Sequence, residues 1–267
     1  MSGETSVMHG LNWTFNTQAE RYERMRPGYV PELYEEIFRH VPLDASSLAV
    51  EVGIGGGQAT GPVLETGCRV IAVEYGDQLA EICRKKFRDY PNFYAVTCKF
   101  EDYPAQDDAC DLVFSASAFH WIPEEIGYRK VYRMLRPGGV FARFANHPYK
   151  DKSRPGMHEA LQEVYAVYMP TSLASGEYTE QQAAARAQIA AKYGFTGISH
   201  HLYRRTRDFT AAQYVELLGT YSDHIAIEEK TRGKFFAEIE AAINRMGGVI
   251  TIFDTIDLQL ARKPEKA

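Results

Sequence analysis

The sequence has few cysteines and no pair of them at the spacing of a metal or redox motif. The four, Cys68, Cys83, Cys98 and Cys110, are scattered along the chain, and no C-x-x-C occurs. This spacing argues against a structural zinc site and against a dithiol redox centre, so no metal is expected. Free thiols are typical of a reducing compartment.

Long apolar runs are also missing. No stretch approaches the roughly 18 apolar residues that a membrane-spanning helix needs. Residues 1–10 are polar and do not have the apolar core of a signal peptide. We therefore expect a cytoplasmic protein without a membrane partner.

An excess of positive charge is missing as well. The chain of 267 residues has a net charge of -5, and no basic stripe with interleaved aromatic residues is visible. This balance gives no general attraction to nucleic acid, which we exclude as a partner. The arginine-rich run at 204–207 is expected to be a solvated strand face. With 45% hydrophobic and 24% charged residues, the composition is that of a globular protein of one large or two ordinary domains.

From Leu48 onward, short apolar runs alternate with segments of helical period. The runs at 48–52, 70–73 and 112–116 lack alternation, as expected of strands that helices cover on both faces. This order predicts an α/β fold with a doubly wound parallel sheet. The predicted strands are Leu48–Val52, Val70–Val73, Phe93–Thr97, Leu112–Ala116 and Val140–Phe144, and the predicted helices include Pro31–Val41, Gln78–Tyr90 and Glu124–Leu135.

The sequence R-P-G-G at 136–139 predicts a turn that ends the last of these helices. Beyond Asn146 the pattern is looser, with predicted helices at Ser153–Tyr168 and in an alanine-rich stretch up to about Tyr193. A strand follows at 198–209, then helices at 211–224 and 228–246. The run Val249–Ala261 alternates isoleucine and leucine with polar residues, which suits an antiparallel strand near a sheet edge.

Four glycines lie within five positions after the first predicted strand, in the pattern E-x-G-x-G-x-G at 51–57. A strand that runs into glycines and then a helix allows close approach of the backbone to a ligand. The dinucleotide fingerprint G-x-G-x-x-G does not fit, because its last glycine falls on Gln58 or Thr60. This misfit counts against a nicotinamide-dependent oxidoreductase. That class and a non-catalytic binding protein are the alternatives to the interpretation below.

Further motifs follow in a fixed order, and together they resemble the class I S-adenosylmethionine-dependent methyltransferases. They are V-I-A-V-E-Y at 70–75, F-E-D at 100–102, D-L-V-F-S-A at 111–116 and L-R-P-G-G at 135–139. The resemblance implies a mostly parallel, seven-stranded, Rossmann-like sheet with helical lid insertions. It also implies S-adenosylmethionine as the cofactor, S-adenosylhomocysteine as the product, and methyl transfer by in-line displacement.

Motifs outside this core narrow the resemblance. The patterns F-N-x-x-A-E-x-Y at 15–22, R-P-G-Y at 26–29 and A-F-H-W at 118–121 are similar to those of trans-aconitate-type small-molecule methyltransferases. The segment L-L-G-T-Y-S-D-H at 217–224 resembles one in uncharacterised bacterial members of that branch. A small-molecule acceptor is implied, methylated on oxygen, nitrogen or a carboxyl group.

The resemblance also divides the chain into four segments of one catalytic domain. Residues 1–45 are expected to form an N-terminal helical lid and residues 46–148 the S-adenosylmethionine-binding core. Residues 149–195 are expected to be a helical insertion, and residues 196–267 the remaining strands with a second helical insertion.

Several residues match the family's cofactor positions. An acid at the end of the second strand, Glu74, can accept hydrogen bonds from both ribose hydroxyls. Glu51 is implied to orient the methionine amino group and Glu101 to contact the adenine amino group. By the same resemblance Arg26 can pair with the methionine carboxylate, and the faces of Tyr22 and Tyr29 can meet the cationic sulfonium. Each of these residues is also compatible with a purely structural role. The full set is Tyr22, Arg26, Glu51, Gly53, Gly55, Glu74, Tyr75, Leu79, Phe100, Glu101 and Ser115.

His120 is the candidate catalytic residue. If the acceptor is a hydroxyl or an amine, a histidine can remove its proton, whereas a carboxylate acceptor needs no base. A histidine beside a tryptophan is equally compatible with simple packing. The candidate substrate-binding residues are Tyr29, Trp121, Tyr165, Tyr221 and His224.

Overall fold

The computed structural model describes residues 19–149, 154–171 and 176–265, and within these ranges seven strands form one sheet. The strands are β1 (Leu48–Val52), β2 (Arg69–Glu74), β3 (Phe93–Thr97), β4 (Cys110–Ala116), β5 (Leu135–Tyr149), β6 (Thr196–Thr210) and β7 (Val249–Arg262). Their order is β3-β2-β1-β4-β5-β7-β6. Strands β1 to β5 are parallel to one another, and β7 is antiparallel to both β5 and β6. The predicted fold class is confirmed.

Helices flank the sheet on both faces. They are α1 (Ala19–Met25), α2 (Pro31–His40), α3 (Gly61–Glu65), α4 (Asp77–Lys86), α5 (Glu124–Met134), α6 (Pro155–Tyr168), α7 (Glu180–Ala187), α8 (Ala211–Leu218), α9 (Ser222–Ile225) and α10 (Glu229–Arg245), with 3₁₀ turns at Phe100–Asp102, Phe119–Trp121 and Gln188–Tyr193. None of the helices described is long and apolar enough to cross a membrane.

Two hydrophobic clusters explain why the central strands are apolar without alternation. Ala49 of β1 packs in one cluster with Leu33 of α2, on one face of the sheet. Its neighbour Val50 packs in the other cluster with Val131 of α5, on the opposite face. Because side chains alternate across a strand, both faces of β1 are buried. A third cluster, centred on Phe235, joins α6, α8 and α10.

The structure shifts several of the sequence-based boundaries by a few residues, and in two places it changes the element itself. The turn predicted at 136–139 is wrong, because these residues belong to β5. Leu135 pairs with Cys110 and Val140 with Leu112, so the register shifts here, and Gly138 adopts a φ of 78°. The helix predicted at 211–224 is divided into α8 and α9.

Parts of several predictions lie outside the described residues. They are residues 1–18 of the predicted N-terminal lid, with Phe15 and Asn16 of its motif, residues 150–153 and 172–175 of the predicted helical insertion, with Ser153 at the start of its first helix, and residues 266–267 of the last segment.

Candidate active site

A cavity of about 1510 Å³ lies where the carboxyl ends of β1, β2, β4 and β5 meet. Gly53 and Ser117 follow β1 and β4, Glu74 ends β2, and Asn146 lies in the last part of β5. All four contribute to the cavity wall. Ligand sites are commonly about 300–1,000 Å³. The cavity is therefore larger than a typical site for one ligand, and it lies at the edge where open α/β sheets bind ligands.

The glycine loop turns sharply over the end of β1. Gly53 has a φ of 73° and Gly55 a φ of 56°, values that residues with a Cβ atom rarely adopt. A Cβ atom at Gly53 would lie 2.5 Å from the Cβ of Ala118, and one at Gly55 would lie 3.2 Å from the Tyr22 ring. The missing side chains therefore allow Ala118 and Tyr22 to pack against the loop, and they leave the loop backbone open to the cavity.

Glu74 lies opposite this loop at the end of β2, largely buried and on the cavity wall. Its Oε2 accepts a hydrogen bond from the Gly55 N–H at 2.9 Å, and its Oε1 accepts one from the Gly76 N–H at 2.8 Å. Burial raises the pKa of this carboxyl, and these backbone donors oppose the rise. An ionised carboxylate has about four acceptor positions, so acceptor capacity remains for donors in the cavity.

Glu51 lies behind the loop and is fully buried. The Thr60 hydroxyl donates to its Oε2 at 2.7 Å, whereas its Oε1 is a buried oxygen without a hydrogen-bond partner. Burial is the main cause that raises the pKa of Glu51 to about 8. Unpartnered buried oxygens are rare and costly, so this one marks a position where an added donor or cation would be stabilising.

Beyond Glu74 the cavity has an apolar wall. Tyr75 is 51% exposed, an unusually open position for a large aromatic ring, whereas Leu79 and Phe100 are largely buried but also line the cavity. Glu101, which is exposed, supplies a carboxylate at the same end of the cavity. A flat, partly polar ring matches this combination of apolar faces and one acceptor.

Arg26 connects two parts of the chain that are distant in sequence. Its Nε donates to the Thr220 hydroxyl at 3.0 Å and its Nη2 to the Thr220 carbonyl at 2.8 Å. The guanidinium also lies 5.0 Å from the Tyr22 ring centroid and 4.3 Å from that of Tyr221. These contacts join the end of α1 to the segment between α8 and α9, and they bring the guanidinium to tyrosine faces that we expected to meet a ligand cation.

Tyr29 closes another part of the wall. Its hydroxyl lies 2.9 Å from the Ser117 Oγ, and its ring meets that of Phe144 edge-on at 4.7 Å. Burial raises the pKa of the Tyr29 phenol well above its usual range, so it remains protonated.

His120 and Trp121 form the far wall. Their rings are 4.9 Å apart, and the His120 side chain is open to the cavity. Protein atoms nevertheless surround its imidazole closely, and this burial, with the charges of Arg186 and Arg143, lowers the pKa of His120 to about 4. The ring is therefore neutral at neutral pH and only weakly basic.

Three further candidates lie behind the wall rather than on it. Ser115 is buried and donates to the Val52 carbonyl at 2.8 Å, which ties β4 to β1. The Tyr165 hydroxyl lies 2.9 Å from Nε2 of His224, within the cluster of α6, α8 and α10. His224 is bonded in turn through Nδ1 to Asp223, which does line the cavity.

The expectation that the arginines at 204–207 are all solvated is wrong. Arg207 donates to both oxygens of Asp254, from Nε at 2.6 Å and from Nη2 at 3.0 Å, and Arg205 donates to the same carboxylate at 3.2 Å. Asp254 is fully buried, and the Arg207 side chain is only 14% exposed. Positions 205 and 207 share one face of β6, and β7 supplies a buried carboxylate opposite them. The residue pattern of β6 alone cannot reveal this ion pairing, because the carboxylate comes from another strand.

Other cavity residues were also missed by sequence reasoning. They are Asn146 and His147 of β5, Arg186 of α7, Arg207 of β6 and Asp254 of β7. One available signal was the row of polar residues that alternates with isoleucine and leucine in β7. Asp257 and Gln259 of this row are buried and do not face solvent. Within the ranges described, no group of three or more histidine, cysteine, aspartate or glutamate side chains is placed to hold a metal ion.

Comparisons with known proteins agree with this geometry. A family model described as a methyltransferase domain matches residues 50–143. An uncharacterised methyltransferase of Schizosaccharomyces pombe is 26% identical over 233 residues, which cover 86% of this chain and 87% of that protein.

Solved structures share the fold at low sequence identity. A candidate type II methyltransferase from Anaeromyxobacter dehalogenans is 19% identical, with a TM-score of 0.63 over 90% of this chain and 99% of that one. Phosphoethanolamine N-methyltransferase 2 of Haemonchus contortus, solved with phosphomonomethylethanolamine and S-adenosylhomocysteine, is 15% identical. Its TM-score is 0.53, over 94% of this chain and 58% of that one.

Proposed function

We propose that this chain acts as an S-adenosylmethionine-dependent methyltransferase and that it methylates a small molecule bound beside the cofactor in the cavity of about 1510 Å³. The observation that carries the proposal is Glu74, a carboxylate with spare acceptor capacity facing the glycine loop, in a cavity that continues past it to His120 and Trp121. The motifs shared with trans-aconitate-type enzymes support a small acceptor.

The residues around Glu74 fit the parts of the cofactor. The Glu74 carboxylate would accept hydrogen bonds from the ribose hydroxyls, next to the backbone of Gly53 and Gly55. Tyr75, Leu79 and Phe100 would enclose the adenine ring, and Glu101 would accept from its amino group. When bound, S-adenosylmethionine supplies a methyl group on a positively charged sulfur, which is a good leaving group.

The methionine end would lie between the glycine loop and the lid, with Glu51 behind the loop. A ligand ammonium near Glu51 would stabilise the ionised carboxylate, whose Oε1 has no other partner. Arg26 would face the ligand's carboxylate while Thr220 holds its guanidinium in place, and Tyr22 would cover the glycine loop. Ser115 would act on this region by fixing β4 against β1.

The acceptor would occupy the remaining half of the cavity. Tyr29, Trp121 and Tyr221 line it, and His120 presents a neutral imidazole. Tyr165 and His224 would act from behind by positioning Asp223 and Tyr221. Fixing the acceptor in line with the methyl–sulfur bond, with water excluded, can lower the barrier by about 7–11 kcal/mol.

A thermal-shift comparison tests the cofactor assignment. We expect S-adenosylhomocysteine to raise the melting temperature and NADH to leave it unchanged, and the opposite result would favour an oxidoreductase. The acceptor is then sought by incubating the protein with methyl-labelled S-adenosylmethionine and a small-molecule cell extract. Binding of S-adenosylhomocysteine without any transfer of label would favour a non-catalytic binding protein.

A further inference from the structure

We propose that His147 is the general base of this site and that Asp257 is its positioning residue, an assignment that rests on the methyl-transfer function proposed above. His147 lies on β5 and lines the same cavity as Glu74 and His120. Asp257 lies on the neighbouring strand β7.

The pairing of β5 with β7 brings the two side chains together. His147 is opposite Thr255 and Ala145 is opposite Asp257, so His147 and Asp257 are diagonal neighbours on one face of the sheet. Nε2 of His147 lies 2.7 Å from Oδ1 of Asp257, whose side chain is 1% exposed. The other oxygen of Asp257 accepts a hydrogen bond from the Gln259 amide. The carboxylate is thus held on both sides, as a group that orients a base must be.

This bond determines which nitrogen of the neutral ring can take up a proton. An ionised carboxylate only accepts hydrogen bonds, so Nε2 carries the hydrogen and Nδ1 has the lone pair. Nδ1 makes no hydrogen bond within the described ranges, and the His147 side chain is 24% exposed and lines the cavity. The imidazole also stacks on the Tyr178 ring at 3.9 Å with an interplanar angle of 3°, which fixes its plane.

His120, the histidine singled out by sequence, lacks these features. It makes no hydrogen bond to an acid in the described part of the chain, and its nearest ring is that of Trp121. General bases work best when their basicity matches the operating pH and their orientation is fixed. Among the described residues two histidines line the cavity, and of these two only His147 is oriented by a buried carboxylate.

The proposed step applies to an acceptor whose reacting atom carries a proton. As the acceptor's oxygen or nitrogen bonds to the methyl carbon, the carbon–sulfur bond breaks and its electron pair stays on sulfur. The acceptor's proton passes to Nδ1 of His147, and Asp257 stabilises the imidazolium that results. Release of the proton to solvent restores the base. The acceptor class is thus an alcohol, phenol or amine and not a preformed carboxylate.

The test uses His147→Gln and a matched control, His200→Gln. His200 also bonds a carboxylate, with its Nε2 3.1 Å from Oε2 of Glu180, but it is not on the cavity wall. For each protein we would measure the rate of label transfer from methyl-labelled S-adenosylmethionine into the small-molecule extract. Calorimetry with S-adenosylhomocysteine would report folding and cofactor binding independently of turnover.

We expect His147→Gln to lower the transfer rate by about 10²–10⁴-fold, the usual contribution of a general base, with unchanged S-adenosylhomocysteine affinity. His200→Gln should transfer at the wild-type rate. A His147→Gln rate within threefold of wild type would overturn the assignment. Failure of the wild-type protein to bind S-adenosylhomocysteine or to transfer label would instead reject the proposed function itself.

Asp257→Asn supplies a spectroscopic readout. The Gln259 amide donates to one oxygen of the carboxylate, so the asparagine oxygen should turn toward Gln259 and its NH₂ toward His147. His147 would then accept at Nε2 and carry its hydrogen on Nδ1. Nitrogen NMR of the histidine rings should show the hydrogen on Nε2 in the wild type and on Nδ1 in this variant. The same tautomer in both proteins, or an Nδ1–H tautomer in the wild type, would overturn the positioning role of Asp257.

Discussion

Replacement of Glu74 by glutamine tests the cofactor site because it changes charge and hydrogen bonding while keeping the side chain's shape. The wild-type carboxylate accepts from two backbone N–H groups, those of Gly55 and Gly76. Glutamine has only one oxygen, so one of these N–H groups loses its acceptor, at a cost of about 1–3 kcal/mol. Removal of a buried charge offsets part of this cost, so we expect a loss near 1 kcal/mol, which lowers the melting temperature by roughly 2–4 °C.

The effect on ligand binding should be much larger. Two ribose hydroxyls donating to a carboxylate form charge-assisted hydrogen bonds worth about 1.5–3 kcal/mol each. Glutamine retains at most one neutral acceptor, so the expected loss is about 2–4 kcal/mol. This corresponds to a dissociation constant for S-adenosylhomocysteine about 30- to 1,000-fold higher.

Isothermal titration calorimetry measures this difference, and circular dichroism confirms that the variant is folded. Glu65→Gln is the matched control, because Glu65 is an exposed acid on α3 away from the cavity wall. It should bind with wild-type affinity. A folded Glu74→Gln protein whose affinity stays within threefold of wild type would refute the assignment of Glu74 to the ribose.

Three other predictions concern the loop and the lid. Since the pKa of Glu51 is about 8 in the folded chain, above its ordinary value, only the folded state holds this proton between about pH 5 and pH 8. The free energy of unfolding should therefore fall as pH rises through this window, by up to about 1.4 kcal/mol per pH unit, and urea titrations of Glu51→Gln should lack that component. Gly53→Ala should destabilise the chain by more than 1 kcal/mol, because φ is positive and a methyl group would lie 2.5 Å from a neighbouring one, whereas Gly61→Ala has open space and should change stability by less than about 1 kcal/mol. Arg26→Gln should weaken S-adenosylhomocysteine binding at least tenfold, since two hydrogen bonds across the lid are lost; Arg24→Gln, which removes only an exposed ion pair of 3.6 Å, should not, and equal affinities in calorimetry would contradict the role of the lid.

Local sequence signals predicted the parallel half of the sheet because strands covered on both faces form continuous apolar runs. Val50 and Val113 pack in one hydrophobic cluster, whereas the residues that precede them, Ala49 and Leu112, pack in the other. The turn predicted at 136–139 failed because proline and glycine also occur at a strand irregularity, where the register between β4 and β5 shifts. Tertiary pairing, and not local propensity, decides between these outcomes.

The candidate site divides in a similar way. Residues that end or follow a strand in the parallel half, such as Glu74 and His120, were predictable because parallel strands place their carboxyl ends on one sheet edge. Asp257 and His147 were not, because their contact depends on the register between two antiparallel strands more than 100 positions apart in sequence. Arg205 and Arg207 looked solvated for the same reason, since their buried partner Asp254 comes from another strand.

A crystal structure of the protein with S-adenosylhomocysteine tests the central claim most directly. We predict that the ribose hydroxyls lie within hydrogen-bonding distance of the Glu74 carboxylate and that the sulfur points toward the half of the cavity lined by His120 and His147. Density for the ligand at another place on the chain, or a ribose without contact to Glu74, would contradict the proposed site.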